Sequence, residues 1–254
     1  MAAWLAWGWN DITWVQKLLA LNFIVLMLHE FEEYYWPGGF PWICNEVLMP
    51  KAGSPPDRYV LNRNNAAFVN LSGWVFYLLP VFFPNLIWLG IGQALFGLVG
   101  QVIVHGVIIN RKLKTWYNPG LVAVMLGHVP LGILYLMEVV GQGTAQWWDL
   151  LFGVLYLGFF SGVIMQRIAF GPLASPTSPY PFSAEEMNRN DRERRLRRAG
   201  IQPRPLSSRP VPVQCDDRVG MQLAAVHESG SGPSRTSSNV RFLVAIGGIA
   251  DIGN

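Results

Sequence analysis

The chain has 254 residues, 51% of them hydrophobic and only 14% charged, with 11 tryptophans and a mean hydropathy of +0.27. Soluble domains carry roughly 25% charged residues, which excludes an ordinary water-soluble fold for most of this sequence. The two cysteines, Cys44 and Cys215, form neither a disulfide framework nor a C-x-x-C pair. The net charge of +3 comes largely from arginines toward the C-terminus, and no nucleic-acid partner is expected.

Taken in order, residues 1–13 hold Trp4, Trp7 and Trp9, with Trp14 next, an interfacial anchor because indole prefers the headgroup boundary. No basic n-region precedes the first apolar run, so no cleavable signal peptide is expected. That run, roughly Trp14 to Tyr35, is long enough to cross a bilayer. Lys17 can snorkel out at its start, and Tyr34, Tyr35 and Trp36 make an aromatic belt before Pro37-Gly38-Gly39. Further spans are predicted over roughly Asn65 to Phe83, Asn85 to Ile109, Pro119 to Val140 and Trp147 to Ile168. Pro119 suits a first helical position, where its missing N–H is not needed. The fold class is therefore all-α: a polytopic membrane bundle of about five transmembrane helices over residues 1–170. Residues 171–254 read as a Pro/Ser/Arg-rich, mostly disordered tail, too poor in apolar surface to offset ordering entropy.

Within the tail, Asn188 to Arg198 holds six arginines and two acids. A short helix over Ala184 to Arg198 is compatible with it, and contact with anionic headgroups is a candidate role beside a plain solvated charge run. The apolar stretch 240–249 is about half the length of a span and has no physical account. Lys51, Arg58, Arg63, Arg111, Lys112, Lys114 and Arg167 lie at the ends of odd-numbered spans or in the loops after them, while the loops after the second and fourth spans carry no Lys or Arg. The positive-inside rule then predicts a multi-pass protein of the cell membrane with its N-terminus outside and its C-terminus cytoplasmic.

The first span closes on His29-Glu30-Phe31-Glu32-Glu33. Ionisable side chains at hydrocarbon depth are costly and mark function. Helical spacing puts His29, Glu32 and Glu33 on one side and Glu30 on another. His105 falls about one turn inside the same end of the third span, and His128 about 13 Å in from Pro119 on the fourth. Gln93, Gly97, Gln101 and His105 recur every four residues as one polar, small stripe. Asn22 lies about two turns before His29 on the same side. Apart from Asn22, Gln93 and Glu138, the strongly polar groups of the first four spans thus fall in one half of the membrane, with Glu138 near the opposite boundary.

The string His29-Glu30-Phe31-Glu32-Glu33, followed by His105 and by Tyr117-Asn118-Pro119-Gly120, resembles the motifs of the HXXEE-domain family: the HXXEE string, a further histidine and Y-x-P-G. The resemblance covers roughly residues 20–165 and leaves the tail out. It implies a membrane architecture and a candidate site, and it brings no settled reaction.

Two chemistries suit these residues. In one, His29, Glu33, His105 and His128 hold a divalent metal, zinc or iron, and Glu32 or Glu33 serves as general base in hydrolysis or oxidation of a lipid or membrane peptide. In the other, the same groups handle protons or a cation. A non-enzymatic scaffold is the third reading, with the carboxylates salt-bridged to Arg111 or Lys112. The metal reading is favoured because buried imidazoles and carboxylates are expensive without a cation. Tyr117, Pro119 and Gly120 read most simply as a helix-entry turn, with Tyr117 also a candidate hydrogen-bond donor.

Overall fold

Thr13 opens α1 (Trp14–Tyr34) with a reciprocal cap: its hydroxyl accepts the Gln16 N–H while the Gln16 side chain accepts the Thr13 N–H. Asn62 and Asn65 do the same for α2 (Arg63–Phe82). With α3 (Ile87–Leu113), α4 (Leu121–Gly141) and α5 (Trp147–Ala169) they make five helices long and apolar enough to cross a membrane. This computed structural model describes residues 8–207; Trp4, Trp7, Cys215 and the stretch 240–249 lie outside the described residues. Among the described residues there is no strand. The protein is an all-α, multi-pass membrane bundle.

Helix ends depart from expectation where local chemistry overrides hydropathy. α3 continues through Arg111 and Lys112, which favour a helix C-terminus by countering its dipole. Lys114 stops it in the left-handed conformation, φ 50°. α4 starts after Pro119, because Gly120 sits at φ +94° and cannot belong to the helix. Pro80 lies inside α2 rather than at its end. Wide π-type turns run over Phe96–Ile109 in α3 and Val124–His128 in α4. These stretches carry His105 and His128; the same wide turns also run over Met137–Gly141 and Phe159–Ala169.

α1 packs against α2 and α4, and α3 against α4 and α5. One apolar core, including Leu18, Leu19, Val81, Ile91 and Tyr135, fills the end of the bundle where α1 begins. A second, built on Phe23, Leu26, Phe76, Tyr77 and Phe160, fills the middle. Leu71, Val75, Val99, Ile103, Leu126, Leu151 and Leu155 stay exposed on the outside, where lipid tails as apolar as leucine can cover them.

A third core closes the end where α1 and α3 finish, and it includes Trp42, Ile43, Leu61, Ile109, Leu113, Phe182, Met187 and Leu196. It joins the α1–α2 loop to α6 (Ala184–Asn188) and α7 (Arg192–Ala199). A mostly disordered tail is expected from residue 171 onward, yet, within the described residues, 171–207 pack onto the bundle. The reason is where the arginines go. Arg189 donates to the carbonyls of Tyr34 and Tyr35 at 2.7 and 3.0 Å, at the open end of α1. Arg204 donates to the carbonyls of Asn45, Lys51 and Ser54. Arg192 meets Glu46 at 2.5 Å with both residues buried. A run that composition marks as solvated is tied down by charge-assisted hydrogen bonds, and Met187 and Leu196 seat it in the core.

Candidate metal centre

Three helices and one turn build the site. The last turns of α1 bring His29, Glu32 and Glu33 inward, at 2%, 8% and 6% exposure. Glu30 turns toward α2, where it accepts a hydrogen bond from the Trp74 indole at 2.8 Å. α3 supplies His105 and α4 supplies His128, both fully buried. The turn Tyr117-Asn118-Pro119-Gly120 connects those two helices.

Glu32 and Glu33 part company. Oε1 of Glu33 lies 3.5 Å from Nε2 of His29 and 3.4 Å from Nε2 of His105. These three side chains each offer one ligand atom, all within 4.8 Å of one another. The His29 and His105 rings meet edge-on, centroids 4.8 Å apart. Glu32 instead accepts the Tyr117 hydroxyl at 2.8 Å and the backbone N–H groups of Val122 and Ala123 at 3.3 and 3.0 Å. It therefore does for α4 what a capping side chain does, since Gly120 supplies none.

Each histidine is oriented through its other nitrogen. His29 Nδ1 pairs with the carbonyl of Gly120 at 3.1 Å, His105 Nδ1 with Asn118 Oδ1 at 2.8 Å, and His128 Nδ1 with Asn22 Oδ1 at 2.6 Å. A carbonyl oxygen only accepts, so His29 Nδ1 must carry the proton. Asn118 is fixed as well, because its Nδ2 donates to the carbonyl of His105 and to Asn110 Oδ1. Its Oδ1 is thereby the acceptor facing His105. In their neutral forms His29 and His105 would then present Nε2 lone pairs toward Glu33. Holding the far nitrogen of a ligating histidine on an oxygen is the usual outer support of a metal site.

The turn does more than start a helix. Asn118 sets His105, the Gly120 carbonyl sets His29, and the Tyr117 hydroxyl sets Glu32. Gly120 is required twice over: its φ of +94° suits glycine, and a Cβ there would fall 2.6 Å from His29 and 2.7 Å from His105. Pro119 is buried just before it. Burial first, then the hydrogen bond to Glu32 and that carboxylate's charge, pushes the Tyr117 phenol up, so it stays a proton donor. Cys44 is buried, and burial together with the Glu33 charge pushes its thiol up; it is not in the group of ligand atoms around Glu33.

His128 stands beside the trio without joining it. Its ring centroid is 5.8 Å from that of His29, and Nε2 has no partner among the described residues. Gly97 of the polar stripe lets α4 come close, since a Cβ there would meet His128 Cβ at 3.0 Å. The salt-bridged alternative does not form: Arg111 is exposed, and Lys112 donates to the carbonyls of Val47 and Leu48. Asn118 is the residue missed in the sequence; Gly120 is named there, but as part of a helix-entry turn and not for its carbonyl. Their signal was the spacing of the turn itself, but nothing in it distinguishes a ligand support from a loop.

No curated protein and no solved structure matches the chain. A family model, described as a protein of unknown function with HXXEE motif, matches residues 20–135. That span runs from α1 into α4 and includes His29, Glu32, Glu33, His105, the Tyr117–Gly120 turn and His128. Residues 20–135, which lie within a five-helix membrane bundle, are thus similar to the HXXEE family.

Proposed function

We propose that the chain is a metal-dependent membrane enzyme, with a divalent cation, zinc or iron, held by His29 Nε2, Glu33 Oε1 and His105 Nε2. The two separations from Glu33 support this, with all three ligand atoms within 4.8 Å of one another. Ligand atoms at about 2.05 Å from a tetrahedral zinc lie about 3.3–3.4 Å from each other. The Glu33 contacts to the two imidazoles measure 3.5 and 3.4 Å. A charge-assisted N–H···O bond is shorter, about 2.7–2.9 Å. Two neutral lone pairs aimed at a carboxylate repel it; a cation between them reverses the sign.

Two imidazoles and one carboxylate are a donor set of catalytic zinc sites, which keep a fourth position open. Bound there, the cation would supply Lewis acidity and a water acidic near neutral pH. His128 has an unpartnered nitrogen next to His29 and takes the role of proton acceptor. Glu32 is a positioning residue, tying α4 to α1. The reaction class is hydrolysis or oxidation of a lipid or membrane peptide, because the cluster lies within the depth of the spans.

The site end is assigned to the cytoplasm on the asymmetry of Lys and Arg around the spans. Arg194, Arg197 and Arg198, exposed on α7, are then placed to meet anionic headgroups. Elemental analysis of purified wild type beside His29→Ala and Glu33→Gln tests the centre. Near-stoichiometric zinc or iron in the wild type, lost in both variants, is expected; only trace metal in the wild type would overturn it. A reporter fused after Lys114 tests the orientation and should read cytoplasmic.

A further inference from the structure

Deeper in the bundle than the Glu33 cluster, three buried polar atoms have no partner among the described residues: Tyr77 Oη, Gln93 Oε1 and His128 Nε2. They come from α2, α3 and α4, with the Tyr77 and His128 rings side by side and Gln93 against the Tyr77 backbone. The Tyr77 and His128 rings have centroids 5.6 Å apart. Gln93 Nε2 donates to the carbonyl of Tyr77 at 3.1 Å and to that of Leu19 at 3.3 Å. Asn22, which orients His128, lies on the adjoining face of α1.

We propose that Tyr77, Gln93 and His128 hold ordered water inside the bundle, on the membrane-interior side of the His29–Glu33–His105 cluster. Their chemistry selects the ligand. Gln93 spends both donors on carbonyls, which leaves Oε1 as an acceptor. His128 donates from Nδ1 to Asn22, which leaves Nε2 as an acceptor. Tyr77 can do either. The ligand must therefore bring hydrogen-bond donors to at least two acceptors. A bare cation does not fit, because the three groups carry no anionic charge to offset it. A bulky polar molecule does not fit either, because Phe76 and Phe96 pack around Tyr77 at centroid distances of 5.8 and 6.3 Å. Water brings two donors and two acceptors, and ordered internal waters typically bond otherwise unsatisfied groups of this kind. In hydrocarbon such groups find no other partner.

The presence of water stands on these three atoms alone. Its use rests on the proposed metal centre: it gives a membrane-embedded hydrolytic site an internal supply, with His128 between the water and the imidazoles. Water-edited solid-state NMR on the full chain in bilayers, labelled at glutamine, tyrosine and leucine, tests the proposal. Polarisation transfer from water to the Gln93 and Tyr77 side chains should be several-fold faster than to Leu26, which packs in the same middle core. Transfer no faster than to Leu26 would overturn it. Tyr77→Phe supplies a second readout. Removing a hydroxyl that bonds water should lower Tm by a few degrees, whereas an unchanged or higher Tm would show an idle hydroxyl and sink the proposal. Neither measurement needs bound metal, so chelator-treated protein gives the same answer, and a failed elemental analysis leaves it standing.

Discussion

The hydroxyl of Tyr117 donates to Glu32 Oε1 at 2.8 Å, across 85 positions of sequence. Through that bond the turn before α4 is locked to the last turns of α1, and the backbone carbonyl of Tyr117 is held in turn by Arg195 at 2.5 Å. Removing either partner loosens the frame that points His29 and His105 at Glu33. Tyr117→Phe loses a hydrogen bond to a charged acceptor, about 1.5–3 kcal/mol, or several degrees in Tm for a domain of this size. The phenol is pushed up in the folded protein, first by burial. Its contribution is thus full below the ordinary tyrosine value of about 10 and fades as pH rises from there through the raised folded value. Thermal denaturation of wild type and variant should give a constant gap from neutral pH to about 9, narrowing only in stronger alkali.

Asn118 carries the most specific prediction about the site. Its Oδ1 takes the His105 Nδ1 proton while its amide is fixed by the His105 carbonyl and Asn110. Asn118→Ala frees the imidazole to rotate and to change tautomer. Loss of such outer support typically costs 10–100-fold in metal affinity. Competition with a metal-binding dye should register that loss while five-helix content by circular dichroism stays unchanged. An affinity within twofold of wild type would separate Asn118 from the site.

Much of this was legible in the residues, and the reasons differ by element. The five spans follow from apolar runs that length alone marks as membrane-crossing. His29, Glu33 and His105 could be placed together because helix geometry converts residue number into depth, and three charged or polar groups converged on one level. Glu32 could not be separated from Glu33 this way, since both lie on the same side of α1; only the position of the α4 N-terminus sends one to the backbone N–H groups and the other to the imidazoles. Asn118 was hidden because a side chain that supports a ligand and one that shapes a turn have the same spacing. The arginines of α7 were hidden because composition counts charges and does not count carbonyls within their reach.

Arg192 and Glu46 test the ordering of the segment after α5. They meet at 2.5 Å, with side chains 6% and 1% exposed. Glu46 also accepts the backbone N–H of Arg204 at 3.0 Å. Arg192→Met leaves Glu46 buried without its main counter-charge, a change that costs about 3–5 kcal/mol in comparable pairs. Glu46→Gln together with Arg192→Met removes both charges and should recover a large part of the loss. Chemical denaturation of the two variants and wild type decides it. Equal destabilisation of the single and double variants would mean that the pair's charge balance is not what holds α7.

The ion pair between Arg63 and Glu186, at 2.6 Å, gives the same region an acid limit. Burial alone would raise the Glu186 carboxyl, but hydrogen bonds from Arg63 and from Ser183 outweigh it and hold Glu186 below the usual glutamate value of 4.5. A carboxyl lowered by folding contributes stability that is present above its unfolded pKa and is lost as pH falls through the folded one. The loss therefore lies below pH 4.5, and half of the pair is exposed, so the effect is a modest one. Arg63→Gln should bring the acid weakening of α6 to higher pH, toward the ordinary carboxyl range. A fluorophore on α6, read for anisotropy from pH 7 to 3, should show wild type loosening later in the titration than Arg63→Gln. Coincident curves would mean that the Ser183 cap alone governs this helix and that the long-range contact to the start of α2 adds nothing measurable.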